Sequence, residues 1–580
     1  MKSRARSTWF AWLAAALYFT ALTAVMTYPL ITRMGVDLVG EIGDNIYFVW
    51  MIGWIKKALF ELGVNPFDVW FLNYPEGWNM AYTEITPAQL ALALPFALAG
   101  GETLGYNAAM LLSFILSGLG MTLWVKRMTG SFSAGLAAGT IFAFLPYRFA
   151  HFLIGHLNLS GTQWFPFYFL GLFEVLDSEK KPRWTASLLT GVSLGLLGLT
   201  SQYYLYMTLL VTAVILVVYL VRYRVRWKDA ALWRSLVLSG VFALPLVFLS
   251  VAPFIALSGQ GGLPDRNISI VRPYSASPTD FLLPSTDHFL WGAWVNTHFN
   301  REMWVEGTLY IGLVTIVLAA LAWKNRARLR AGWILPLLVW GGGFALILAL
   351  GTDFHWNGRP VEINTPAFLS PWISRETIPL VLPGYFMFQY FPFFAKLRAL
   401  MRFGVFVLVF FSASAGLGMA WLLEKVSAQR RRLVFAGVIL LIFLDFYPGP
   451  YAHFAQVQAR PVDAWLAAQP GNGAVIQFPF IKGEDQDQTY STLVHGKPFV
   501  GGFFNAFPPN QYVRIRPIME NFPDADSVAM FNELGVAYVL VDSASYPDPA
   551  LVRERAEELG LTFVQDVGGQ MVFTWQGAAP

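Results

Sequence analysis

Eleven stretches of this chain are apolar over lengths that reach or approach a membrane crossing, and they dictate most of what it can fold into. They lie near residues 8–31, 106–125, 133–147, 160–177, 185–202, 203–221, 235–257, 305–323, 333–350, 403–423 and 433–447. In hydrocarbon every backbone N–H and C=O must be paired inside the segment, so apolar runs of about 20 residues become spanning helices. Composition agrees: of 580 residues 56% are hydrophobic and 13% charged, against about 25% charged in soluble domains. The chain has no cysteine, which removes disulfides, thiol catalysis and Cys-ligated metals from consideration. The expected fold class is mainly α, a polytopic membrane protein of about eleven transmembrane helices over residues 1–449. An extracytoplasmic α/β domain over 450–580 is expected to follow.

Charge sets the expected orientation. With the N-terminus inside, the cytoplasmic pieces are 1–7, 126–132, 178–184, 222–234, 324–332 and 424–432, and these 52 residues hold 21 Lys and Arg. The external loops 33–105, 148–159, 258–304 and 351–402 hold 12 in 184 residues. This is the positive-inside pattern. The apolar stretch 88–99 is short and contains Pro95; counting it as a span would invert every later loop, so it is expected to lie at the membrane surface. Lys2, Arg4 and Arg6 precede a first span too long for a cleaved signal, which reads as an uncleaved anchor. Residues 1–449 carry a net charge of +11 and 450–580 carry −7. The basic part is the hydrophobic part, so its charge belongs to membrane orientation and no nucleic-acid partner is expected. In the tail, short apolar runs at 474–478, 536–541, 561–565 and 571–575 alternate with helical patterns at 527–534 and 550–559.

The long loops are external and rich in Trp, Pro and Asn, so binding or chemistry is expected on that face. Ionisable residues within the spans are nearly absent, with Glu174 and Asp445 near helix ends, which disfavours an ion-coupled transporter. One span followed by a large external loop with an acidic residue opening an amphipathic helix (Gly43-Asp44-Asn45 through Trp54), then an aromatic turn (Asn73-Tyr-Pro-Glu-Gly77) and a second surface helix, resembles the GT-C superfamily of integral-membrane glycosyltransferases. The resemblance implies a polyprenyl-phosphate-linked sugar donor, an external active site and a catalytic or metal-binding Asp in the first loop. Asp44 matches that position, with Glu41 and Asp37 as fallback acids. An Asp there also fits a plain N-cap for a helix beginning at Asn45.

Four further groups stand out. The second external loop carries Arg148, His151, His156 and Asn158 but no acid, which departs from relatives that place a second carboxylate there. His151 and His156 are candidates for metal or phosphate contact, and interfacial histidines bonded to backbone are the alternative. Glu306 precedes the eighth span, where some oligosaccharyltransferases place an acidic metal contact. Arg398 and Arg402 are external cations against the charge rule; four residues apart, they would share one helix face and, with Arg148, hold a donor phosphate, unless they bind lipid headgroups. Trp78, Tyr82, Trp291, Trp294 and Trp304 are candidates for sugar stacking, or interfacial anchors.

The expected activity is sugar transfer from a polyprenyl-phosphate donor to a glycan, lipid or protein acceptor outside the plasma membrane, with a divalent Mg or Mn as a candidate cofactor. The alternatives are a non-catalytic lipid-linked glycan transporter or assembly protein, and a membrane-anchored binding module.

Overall fold

The computed structural model describes residues 2–177, 183–259, 264–366, 372, 374–481, 485–504 and 508–577. Most of the expected cytoplasmic connection 178–184, and residues 505–507 of the C-terminal loop, lie outside the described residues. Each of the eleven apolar stretches holds a helix. Among the described residues seven helices are long and apolar enough to cross a membrane, including Glu102–Thr129, Gln202–Arg222 and Ala230–Gly259. The protein is a multi-pass membrane protein.

Three stretches differ from expectation for local reasons. The run at 133–147 is split into helices Phe132–Ala143 and Pro146–Leu153, because the residue before a proline is driven out of the helical region. The run at 305–323 becomes helical only over Leu313–Lys324, after Gly312 takes φ +94°. Glu306 therefore lies ahead of that helix, in the short turn Trp304–Gly307. The stretch expected at the membrane surface forms Pro87–Gly100 and turns back at Gly101, φ +92°, to pack lengthwise on helix Glu102–Thr129. A Cβ on Gly105 would lie 2.8 Å from the Ala97 Cβ and 2.9 Å from the Ala93 oxygen, so only glycine admits this approach.

The tail forms a four-stranded sheet in the order Thr562–Val567, Gln570–Thr574, Val536–Asp542, Ala474–Phe478. Val539 pairs in parallel with Ile476 and antiparallel with Phe573. The tail is knitted to the loop 33–105. Strand Phe454–Gln456 pairs antiparallel with Asp37–Val39. The buried Trp50 indole donates to Thr492 at 3.2 Å, and the Gln511 amide donates to the Tyr74 carbonyl at 2.9 Å.

Candidate active site

Helix Asp44–Lys56 starts one residue earlier than an Asp N-cap would require. Gly43 is the N-cap, and the capping duty falls on Asn45, whose Oδ1 accepts the N–H groups of Gly43 and Ile46 at 2.8 Å each. Asp44 thus sits in the first helical turn. The loop 148–159 is pressed onto this turn at Gly155, φ +84°, where a Cβ would meet the Asn45 nitrogen at 2.3 Å. That contact brings the next residue, His156, onto Asp44, with Nε2 3.2 Å from Oδ2.

From Asp44 a ladder of polar groups runs inward. His156 Nδ1 is 2.8 Å from His151 Nδ1, and His151 Nε2 is 3.9 Å from Glu306 Oε2. Arg402 grips Glu306 through Nε at 3.0 and 3.1 Å and Nη2 at 2.5 Å. Burial by itself raises the Glu306 carboxyl, but the Arg402 charge and its hydrogen bonds outweigh it and hold the group at about 2. The carboxylate is therefore ionised at neutral pH and already committed to its partner.

Asp44, His156, Glu306 and Arg402 line a cavity of about 450 Å³. Its wall also carries Glu84, which accepts a hydrogen bond from Asn158 Nδ2 at 2.8 Å. Arg398 lies with its guanidinium 4.7 Å above the Tyr274 ring, and its backbone N–H donates to the Tyr203 hydroxyl at 3.3 Å. Arg266 is held by the Lys396 carbonyl at 3.0 Å. Among the described residues neither Arg398 nor Arg266 forms an ion pair with a carboxylate, so these two cations are available to an anion. From the tail Phe503 reaches the same cavity and packs on Tyr47 with ring centroids 5.0 Å apart.

Of the site residues expected from sequence, the fold brings Asp44, His156, Glu306, Arg398 and Arg402 to one cavity, with His151 behind it. The reason for the arginine pair is not a shared helix face. Leu397 and Ala399 are extended, and the two side chains converge from separate turns with different partners. Arg148 is elsewhere: it is 1% exposed and donates to Ser113 at 2.9 Å and Ser117 at 2.5 Å and to Thr162, which leaves it unable to meet a donor phosphate in this cavity. Asp37 is buried against Arg33 at 3.1 Å, and Glu41 is exposed outside the cavity wall. Trp78 is buried against Trp50 and Phe504. Sequence reasoning missed Glu84, Arg266, Tyr203 and Tyr274. The charge rule that singled out Arg398 applies equally to Arg266; nothing local marks Glu84, which the fold brings to the cavity wall.

Among the described residues no three His, Asp or Glu side chains gather as a metal-binding set. Asp44 and His156 are bonded to each other and Glu306 is taken by Arg402, so the donor set does not fit a divalent ion as arranged.

Residues 60–375 match the family described as a domain of unknown function, DUF6311. The chain belongs to that family. No curated protein matches it. Among solved structures the DUF6311 chain is similar to the arabinofuranosyltransferase AftD from Mycobacteria, with a TM-score of 0.55 at 14% identity, covering 97% of this chain and 39% of that one. It is also similar to the archaeal oligosaccharyltransferase AglB from Archaeoglobus fulgidus, solved with an inhibitory peptide and a dolichol-phosphate, with a TM-score of 0.50 at 14% identity, covering 98% of this chain and 75% of that one. The fold is GT-C-like. The DUF6311 chain spans about two fifths of the length of AftD.

Proposed function

We propose that this DUF6311 protein is a membrane glycosyltransferase that moves a sugar from a polyprenyl-phosphate-linked donor to an acceptor on the extracytoplasmic face. The observation that carries the reading is the cavity itself, which sets a carboxylate–imidazole pair, Asp44 and His156, in one wall and two arginines without carboxylate partners, Arg398 and Arg266, in another. The GT-C-like fold supports it, as does the dolichol-phosphate held by AglB. The topology that suits this chemistry has eleven crossings, a cytoplasmic N-terminus and residues 450–580 outside.

In the reaction an acceptor hydroxyl oxygen bonds to the anomeric carbon of the donor sugar while the bond from that carbon to the phosphate oxygen breaks. The hydroxyl proton passes to Asp44, whose carboxylate is oriented by His156. The leaving phosphate gains negative charge as it departs, and Arg398 and Arg266 offer charge-assisted bonds to it. Tyr274 beneath Arg398 and the bond from Arg398 N–H to Tyr203 preorganise that end.

The test is Asp44→Asn, which keeps the shape of the side chain and removes its basicity. Release of polyprenyl phosphate from a panel of polyprenyl-phosphate sugars, with purified protein and membrane glycan acceptors, should fall on the order of 100- to 10,000-fold. A folded variant that transfers at near the wild-type rate removes Asp44 from the mechanism.

A further inference from the structure

A second, larger cavity of about 730 Å³ lies beside the first and shares Glu302 and Met303 with it. Its floor is built from groups that are expensive to bury. Asp280 and Arg301 pair at 2.7 Å with both side chains 6% exposed, and Asp280 also accepts the Ser277 N–H at 2.8 Å. His355, 4% exposed, turns Nε2 to Asp353 at 3.2 Å, and Ser277 Oγ accepts the Gly358 N–H at 2.8 Å. These bonds lock the wall but do not satisfy it. Among the described residues Arg301 Nε, His355 Nδ1 and Ser275 Oγ are buried without a hydrogen-bond partner, as is Arg272 Nε but for its 3.3 Å ion pair with Asp353, a condition that costs about 1–3 kcal/mol per group.

The chemistry of those three groups selects the ligand. Arg301 Nε can only donate. The His355 Nε2 faces the Asp353 carboxylate, which leaves Nδ1 as the ring nitrogen open to a ligand. Ser275 Oγ does either. A hydrocarbon would leave all three unmade. The charged side chains lining the cavity include five carboxylates and three arginines, an excess of negative charge that works against phosphate or another anion. A chain of neutral hydroxyls donates and accepts at adjacent positions, and it meets every requirement.

We infer that the second cavity binds the glycan chain of a neutral, hydroxyl-rich acceptor, whose end passes Glu302 and Met303 to reach Asp44. The inference rests on the proposed sugar transfer and names its acceptor class. The cavity volume falls within the usual range for ligand pockets, and its mouth is formed by the exposed strands Glu362–Asn364 and Thr377–Pro379.

The experiment measures binding of neutral oligosaccharides of two to six sugars to the full-length protein in nanodiscs by saturation-transfer NMR and titration. Thr377→Trp narrows the mouth from an exposed strand, and His355→Leu removes the ring nitrogens. Each variant is carried forward after its melting temperature is shown to match the wild type, so that either one suffices. Both should weaken oligosaccharide binding about tenfold or more, and inorganic phosphate should not compete. Absence of binding by any member of the panel, binding that neither variant alters, or displacement by phosphate overturns the inference. Retained glycan binding with undiminished transfer by Asp44→Asn would instead defeat the proposed mechanism and leave the glycan site standing.

Discussion

Arg402→Ala should destabilise the protein severely, whereas Arg398→Ala should leave it as stable as the wild type and weaken only its hold on the donor phosphate. Arg402 and Glu306 are joined by three N–O contacts of 2.5 to 3.1 Å, with side chains 12% and 6% exposed. Deleting the guanidinium leaves an ionised, largely buried carboxylate without its partner, a loss of up to about 3–5 kcal/mol. Arg398 is exposed, and its removal should change stability by less than about 0.5 kcal/mol but lower polyprenyl-phosphate affinity by about 1.5–3 kcal/mol, the scale of a charge-assisted hydrogen bond. Replacing both members of the buried pair, Glu306→Leu with Arg402→Met, should recover most of the lost stability, because no charge is then left unpaired. Denaturant unfolding in detergent, followed by tryptophan fluorescence, reads the first quantity and titration with polyprenyl phosphate the second. The pH dependence has a definite sign. Glu306 is depressed from 4.5 to about 2, so the stability it contributes is in place above pH 4.5 and is lost as the pH falls toward 2. An Arg402→Ala protein as stable as the wild type but unable to bind the lipid phosphate would show that Arg402 serves the ligand and would refute this division of labour.

His156→Ala should lower the transfer rate about tenfold or more by releasing the Asp44 carboxylate, and His156→Gln, which keeps a donor, should restore part of the rate; equal rates in all three proteins would exclude a positioning role. Single cysteines introduced on the cysteine-free chain at the exposed positions Arg127, Glu76 and Val513 should label from the cytoplasmic side at 127 and from the external side at 76 and 513. External labelling at 127 would break the eleven-crossing topology.

Apolar run length and the placement of Lys and Arg were enough to locate every long helix, because a segment in hydrocarbon must satisfy its own backbone bonds and so carries its structure locally. The alternating apolar strands of the tail were legible for the same kind of reason, to within a residue or two at each end. Asp44 could be picked out through the GT-C resemblance, as the acid opening a helix expected to be amphipathic; the helix is instead buried over residues 45–54. What no local pattern carries is whether a charge is spent. Arg402 is neutralised by Glu306, 96 residues away, and the donors of Arg148 are taken up by hydroxyls on two other segments. Arg398 and Arg266, which read the same in sequence, face the cavity without a carboxylate. His156 finds Asp44 only because Gly155 lacks a Cβ where the two loops touch. The tail closes the cavity through Phe503 only because its first strand adds to Asp37–Val39 across the whole membrane domain. The electrostatic state of a side chain is set by whichever groups share its low-dielectric surroundings, and that company is chosen by the tertiary fold.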